Sequence, residues 1–221
     1  MVFDSATWIM LGQGLLDTLY MTLASTAMAY LLGLPLGLLL VITEKGSIAP
    51  LPAFNRVLGV IINLMRSIPF LILLVWVMPV TRAIVGTTIG SSATVVPLVI
   101  AAAPFIARLV ESSIKEVDPG VVEAAQSMGA TNSQIVWKVL LPEAKPSLIV
   151  GAAISVTTIL GYSAMAGFVG GGGLGDIAIR FGYYRYEDEI MLITVVILVL
   201  VVQILQEIGM RIANSSDRRK N

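Results

Sequence analysis

Five stretches of about 20 or more mostly apolar residues recur along this chain, too many for the interior of a water-soluble domain of its length. They run from about Leu15 to Ile42, Val57 to Val80, Ala93 to Ser113, Ser147 to Val169 and Ile190 to Ile212. A helix rises 1.5 Å per residue and a bilayer's hydrocarbon core is about 30 Å thick, so each run is long enough to cross. Only 13% of the 221 residues are charged and 57% are hydrophobic, whereas a soluble domain carries about 25% charged residues. The expected fold class is therefore an all-α membrane protein, a single transmembrane domain over residues 1–221 with five spans. Gly33-Leu34-Pro35-Leu36-Gly37 is expected to kink the first span. Phe3 to Met10, with its Trp8, reads as an interfacial lead-in, and Asn214 to Asn221 as a disordered polar tail. Met1 to Ser5 has no positive charge and the run from Leu15 is too long for a signal core, so no cleavable signal is expected.

An odd number of spans puts the termini on opposite sides, and the basic residues orient them. One side collects Lys45, Arg56, Arg66, Arg108, Lys115, Lys138, Lys145, Arg211, Arg218, Arg219 and Lys220; the other holds Arg82, Arg180 and Arg185. The positive-inside rule then puts the N-terminus outside, the C-terminus in the cytoplasm and the loop 114–146 on the cytoplasmic side.

Several chemistries lack their parts. With no Cys and no His, thiol nucleophiles, imidazole bases and the common zinc sets are gone. Net charge is zero, so no basic field points to nucleic acid. Ion-coupled carriers usually keep a carboxylate or His at mid-membrane, but Asp17, Glu111 and Glu207 sit at or near the ends of their runs. Sodium held by backbone carbonyls of a broken helix stays open. No G-x-x-x-x-G-K-[ST] occurs. Gly170-Gly171-Gly172-Gly173-Leu174-Gly175 follows a membrane run and opens no βαβ unit, so it reads as a flexible exterior loop rather than a nucleotide cradle.

The loop 114–146 carries the densest local signals. Asp118-Pro119 starts a helix, since Asp caps free N–H groups and Pro suits the first turn. It should run to Met128 and stop at Gly129. Val121, Ala124, Ala125 and Met128 then share one face. Thr131 with Gln134 forms a capping box for a second helix toward Lys138, which Leu141-Pro142 should end. Such a helix–turn–helix suits either a partner's groove or packing on its own bundle.

Glu123-Ala124-Ala125, three residues, Gly129, nine residues, Val139, one residue and Leu141-Pro142 resemble the EAA loop of binding-protein-dependent ABC importer permeases. Val139 stands where the pattern commonly has Ile. Arg66-Ser67-Ile68-Pro69-Phe70, Val85-Gly86-Thr87, Ala103-Pro104-Phe105-Ile106-Ala107-Arg108, Gly161-Tyr162-Ser163-Ala164-Met165 and the Gly170–Asp176 stretch resemble the methionine-importer branch. The resemblance implies the ABC importer type I permease fold in the inner (cytoplasmic) membrane. It also implies a second copy of the chain, two ATP-binding subunits and an external methionine-binding lipoprotein. ATP and Mg would be bound by the ATPase partner, leaving this chain without a cofactor of its own and not an enzyme. Glu123, Ala124, Ala125 and Gly129 become the coupling contact, with Met128 on the same helix. Another amino acid or organic ion as cargo, or a stand-alone ion-coupled carrier or channel, are the alternatives.

Other residues carry weaker expectations. Arg66 sits about nine residues into its run and reads first as a structural anchor snorkelling to the inner surface, with Asn63 one turn earlier sharing its hydrogen bonds. Met165, beside Tyr162 and Ser163, is a candidate gate on the dimer axis, with plain helix packing as the alternative. Arg108 and Glu111 are spaced for an intrahelical ion pair. Tyr183, Tyr184 and Tyr186 read as an exterior aromatic belt.

Overall fold

A computed structural model describes residues 4–216, and all regular structure among them is helical. The helices are α1 (Ser5–Ile42), α2 (Pro52–Ser67), α3 (Phe70–Trp76), α4 (Met78–Val85), α5 (Ser91–Lys115), α6 (Pro119–Ser127), α7 (Asn132–Ile135), α8 (Leu141–Met165), α9 (Gly173–Ile177) and α10 (Asp188–Ser216). A π-helical turn, Val136–Leu140, joins α7 to α8, and another, Ala178–Tyr183, follows α9. Among the described residues four helical stretches are long and apolar enough to cross a membrane, or five if the bent pair α2–α3 is one span.

Four local expectations change. The run from Val57 to Val80 is not one helix: α2 and α3 meet at 100° across Ile68-Pro69. Proline disfavours the α conformation in the residue before it and offers no N–H to the ladder. Leu141-Pro142 ends nothing, because the chain continues helically into α8. The ring of Pro142 would crowd the carbonyl four residues back, and a widened π turn at that point gives it room. Asn214 to Ser216 prolong α10 rather than forming a disordered tail, while residues 217–221 of that tail lie outside the described residues. The lead-in is likewise part of α1 from Ser5 onward, and Phe3 lies outside the described residues.

Contacts divide the chain into two units. One holds the residues up to Ala29 with Ile68–Ala102 and Ser155–Gln206; the other holds Tyr30–Ser67, Ala103–Ile154 and the residues from Glu207.

In the first unit, Leu11, Leu174, Ile177 and Ile190 form a buried cluster. The glycine-rich stretch is built into this unit and is no loose loop: Gly171, Gly173, Leu174 and Gly175 are buried. Thr94 Oγ1 donates to the Gly171 carbonyl at 3.1 Å. Gly90 N–H donates to the Gly170 carbonyl at 3.0 Å, and Leu174 N–H to Thr18 Oγ1 at 2.9 Å. A side chain at Gly173 would start 2.7 Å from Thr18 Oγ1, on backbone with φ 75°. Only glycine fits that position.

In the second unit, α1 lies against α5 through Gly33 and Gly37. A β-carbon at Gly33 would stand 2.8 Å from the Ala103 carbonyl, and one at Gly37 would stand 2.6 Å from that of Ala107. The two glycines thus permit backbone-to-backbone approach four residues apart, as small residues do between membrane helices. α1 remains a single helix through Pro35. Its final turn is closed by Asn55, whose amide donates to the Leu40 carbonyl at 2.6 Å and to Thr43 Oγ1 at 3.0 Å. The first of these bonds serves a carbonyl that a helix end otherwise leaves open.

Polar side chains tie the same region together. Arg108 of α5 pairs with Glu111 at 2.6 Å and donates to the Gly59 carbonyl at 3.1 Å and to Asn63 Oδ1 at 2.9 Å, both on α2. Asn63 therefore gives its side-chain oxygen to Arg108, where a share in Arg66 was expected. Lys115 pairs with Glu111 at 3.0 Å and with Glu44, in the α1–α2 connection, at 2.9 Å.

The α1–α5 contact sets a clear stability test. Gly37→Ala should destabilise the purified protein by about 1–3 kcal/mol through overpacking. Gly12→Ala, at a site with nothing within 4 Å of the added carbon, should be neutral or stabilise by about 0.4–1 kcal/mol. Thermal unfolding in detergent reads both; equal midpoints for the two variants would refute the close contact.

Candidate functional site

The loop after α5 folds through its own capping groups. Asp118 accepts a hydrogen bond from Gly120 N–H at 2.8 Å, Pro119 occupies the first turn, and α6 follows. The helix ends at Met128, and Gly129 has φ 79°, a left-handed conformation that glycine adopts without strain. Thr131 and Gln134 form both halves of a capping box: Thr131 N–H donates to Gln134 Oε1 at 2.8 Å, and Gln134 N–H donates to Thr131 Oγ1 at 3.3 Å. At the foot of the loop, Ser147 Oγ of α8 donates to Ser113 Oγ of α5 at 3.0 Å.

This geometry divides the expected apolar stripe. Ala125 is 5% exposed, whereas Glu123 and Ala124 are exposed, Val121 is 42% exposed and Met128 82%. A helix that buries one alanine and presents Val121, Ala124 and Met128 outward has an exposed apolar face. Glu123 lies in the same exposed turn.

The residues of the candidate path separate at the end of α8. Ser163 is buried and donates to the Leu160 carbonyl at 2.8 Å, so its hydroxyl is already spent within the helix. Tyr162 stacks on Phe70, ring centroids 4.6 Å apart and 5° from parallel. Met165 is 45% exposed. The two glycines nearby do different work: Gly161 has nothing within 4 Å of an added carbon and lines an apolar groove of about 300 Å³, while Gly167 presses on the backbone of Gly175 and Asp176. Of the three, only Met165 offers a large free apolar surface.

Arg66 is exposed in the last turn of α2. The break after Ser67 moves it from mid-run to a helix C-terminus, where a cation is favoured. Asp176 is buried and paired with Arg180, a turn away. Tyr183, Tyr184 and Tyr186 are all more than half exposed, and Arg185 lies over the Phe181 ring at 4.6 Å. Among the described residues no group of three or more Asp, Glu, His or Cys side chains gathers to hold a metal ion.

Two contacts were missed in the sequence. The bond between Arg108 and Asn63 joins residues 45 apart, beyond the reach of helix periodicity. The Gly33/Gly37 spacing, expected to kink α1, also marks a small-residue contact with α5.

The family model described as "binding-protein-dependent transport system inner membrane component" matches residues 33–220. The chain belongs to that family. It is 51% identical over 219 residues, 97% of each chain, to the "Probable D-methionine transport system permease protein MetI" of Vibrio cholerae. It is 45% identical to the protein of the same name from Haemophilus influenzae, covering 96% of this chain and 100% of the other. A solved chain of the "MetNI methionine ABC transporter" in inward-facing conformations superposes with a TM-score of 0.96 at 46% identity, over 98% of this chain and all of the other.

The exposure pattern of α6 is directly measurable, since the native chain has no cysteine. Single Ala124→Cys and Met128→Cys variants should react rapidly with a water-soluble maleimide, and Ala125→Cys slowly. Equal rates at positions 124 and 125 would contradict the buried side of α6.

Proposed function

We propose that this chain is the membrane-spanning permease subunit of a methionine importer, taking up L- and D-methionine, with ATP hydrolysis confined to a separate subunit. The observation that carries the reading is the outward apolar face of α6, in a chain 51% identical to a methionine permease over almost its whole length. Two copies of the chain would flank the path in the inner membrane, each seated on one ATP-binding subunit, with an external lipoprotein delivering methionine.

The α2–α3 pair counts as one broken span in this reading, which gives five spans, an exterior N-terminus and a cytoplasmic C-terminus. The charge bias supports that orientation. α6 then lies on the cytoplasmic side, where Glu123, Ala124, Met128 and Gly129 meet the ATPase, while Ala125 on the same helix is buried. ATP binding draws the two α6 helices together and opens the path outward; hydrolysis and release return it. Met165 gates the path on the dimer axis. A path with few fixed charges suits a zwitterion, and selection rests mainly with the external binding protein.

Uptake of labelled methionine by the complex reconstituted with its ATPase and binding protein tests the assignment. Gly129→Asp should lower uptake by about tenfold or more, the scale of an allosteric coupling, while the complex still assembles. Met128→Cys should be labelled only from the cytoplasmic side. Normal uptake in Gly129→Asp, or labelling from outside, defeats the coupling role. Solute flux through this chain alone, abolished by ionophores and indifferent to ATP, would instead establish an ion-coupled carrier. Met165→Ala should alter transport or basal ATP hydrolysis, and a variant unchanged in both removes the gate.

A further inference from the structure

The side chains around Arg108 form a continuous polar chain across three segments: Asn63 on α2, Arg108, Glu111 and Lys115 along α5, and Glu44 in the α1–α2 connection. Each link is a charge-assisted hydrogen bond of 2.6 to 3.0 Å. The Arg108 and Glu111 side chains are only 24% and 13% exposed, so water competes poorly for their bonds. Packing of Leu40, Ile62 and Ala107 joins α1, α2 and α5 in the same unit.

The position of this chain relative to α6 is what gives it a use. α5 ends at Lys115, and only Glu116 and Val117 separate that residue from the Asp118 that caps α6. A force applied to α6 therefore reaches the last turn of α5 through almost no slack. There Lys115 and Arg108 grip two different parts of the α1–α2 segment, one at Glu44 and one at Asn63 and the Gly59 carbonyl. An intrahelical Arg108–Glu111 pair would need none of these outward bonds.

We propose that Arg108, with Asn63, Glu111, Lys115 and Glu44, is the positioning network that passes movement of α6 to α2, so that α2 and α5 shift as one body during the transport cycle. This rests on the reading of α6 as the contact with the ATPase. Arg108 is the central member because it alone touches both Glu111 and α2. Asn63 is the coupling acceptor, and its place on α2, one turn before the helix breaks, puts the grip close to the bend into α3.

The test uses the complete complex in liposomes and measures methionine transported per ATP hydrolysed, together with stimulation of hydrolysis by the loaded binding protein. Asn63→Ala removes only the α2 side of the Arg108 bond. It should lower both quantities by about fivefold or more, while basal hydrolysis and the amount of assembled complex stay the same. Asn63→Asp, which keeps an oxygen facing Arg108, should retain most of the coupling. Lys115→Gln should act like Asn63→Ala, and Lys115→Arg should restore function. Ala124→Asp serves as the reference for α6 itself. If Ala124→Asp uncouples the complex while Asn63→Ala and Lys115→Gln transport normally, the network is structural and the proposal is overturned. If Ala124→Asp also transports normally, the underlying reading of α6 has failed. Equal loss in Asn63→Ala and Asn63→Asp, with less assembled complex in both, also overturns the proposal by assigning the residue to folding.

Discussion

Backbone amides and carbonyls find no water inside hydrocarbon, and several departures from regular helix among the described residues are met by partners within the protein. An unpaired group in such surroundings costs several kcal/mol, so a helix can break only where protein supplies partners. The glycine-rich stretch shows how. Where the chain leaves α8, Gly170 and Gly171 give their carbonyls to Gly90 N–H and Thr94 Oγ1, and Leu174 N–H finds Thr18 Oγ1. Threonines take the role that solvent plays in a soluble protein. The glycines themselves supply proximity, letting non-helical backbone lie close enough to α1 and α5 for those bonds to form.

The same economy operates at the other breaks. Asn55 closes the end of α1, and the π turn before α8 accommodates Pro142 without abandoning the helix. Each device leaves the backbone satisfied and the chain redirected. A permease needs such redirection, because a bundle of uninterrupted rods offers few places for side chains to converge or for segments to move separately.

The apolar runs made the helical architecture legible, since length and lack of charge alone demand it. The caps of α6 and α7 were equally legible, because Asp118-Pro119, Gly129 and the Thr131/Gln134 pair act over a few residues of local chain. The reading failed where meaning depends on distant neighbours. The glycine run looked mobile because flexibility is what glycine confers in isolation; packed against Thr18 and Ala164, it is confined. Pro142 looked terminal because the π turn that admits it leaves no mark on hydrophobic spacing. Ala125 shares a face with Ala124 by spacing yet is buried, because periodicity identifies a face while the fold decides which edge of it is covered. Tyr162 and Ser163 stand beside Met165 in the sequence, and the structure gives each a partner of its own in Phe70 and the Leu160 carbonyl.

The closed capping of α6 has a consequence for assembly. Both its ends are fixed by the chain itself, by Asp118 at the start and by the left-handed Gly129 at the finish. A recognition element held in its bound shape before contact gives up little conformational entropy on docking. Under the proposed reading of α6, encounter with the ATPase needs no folding step, and the lifetime of the joined pair is governed by how well two rigid shapes match.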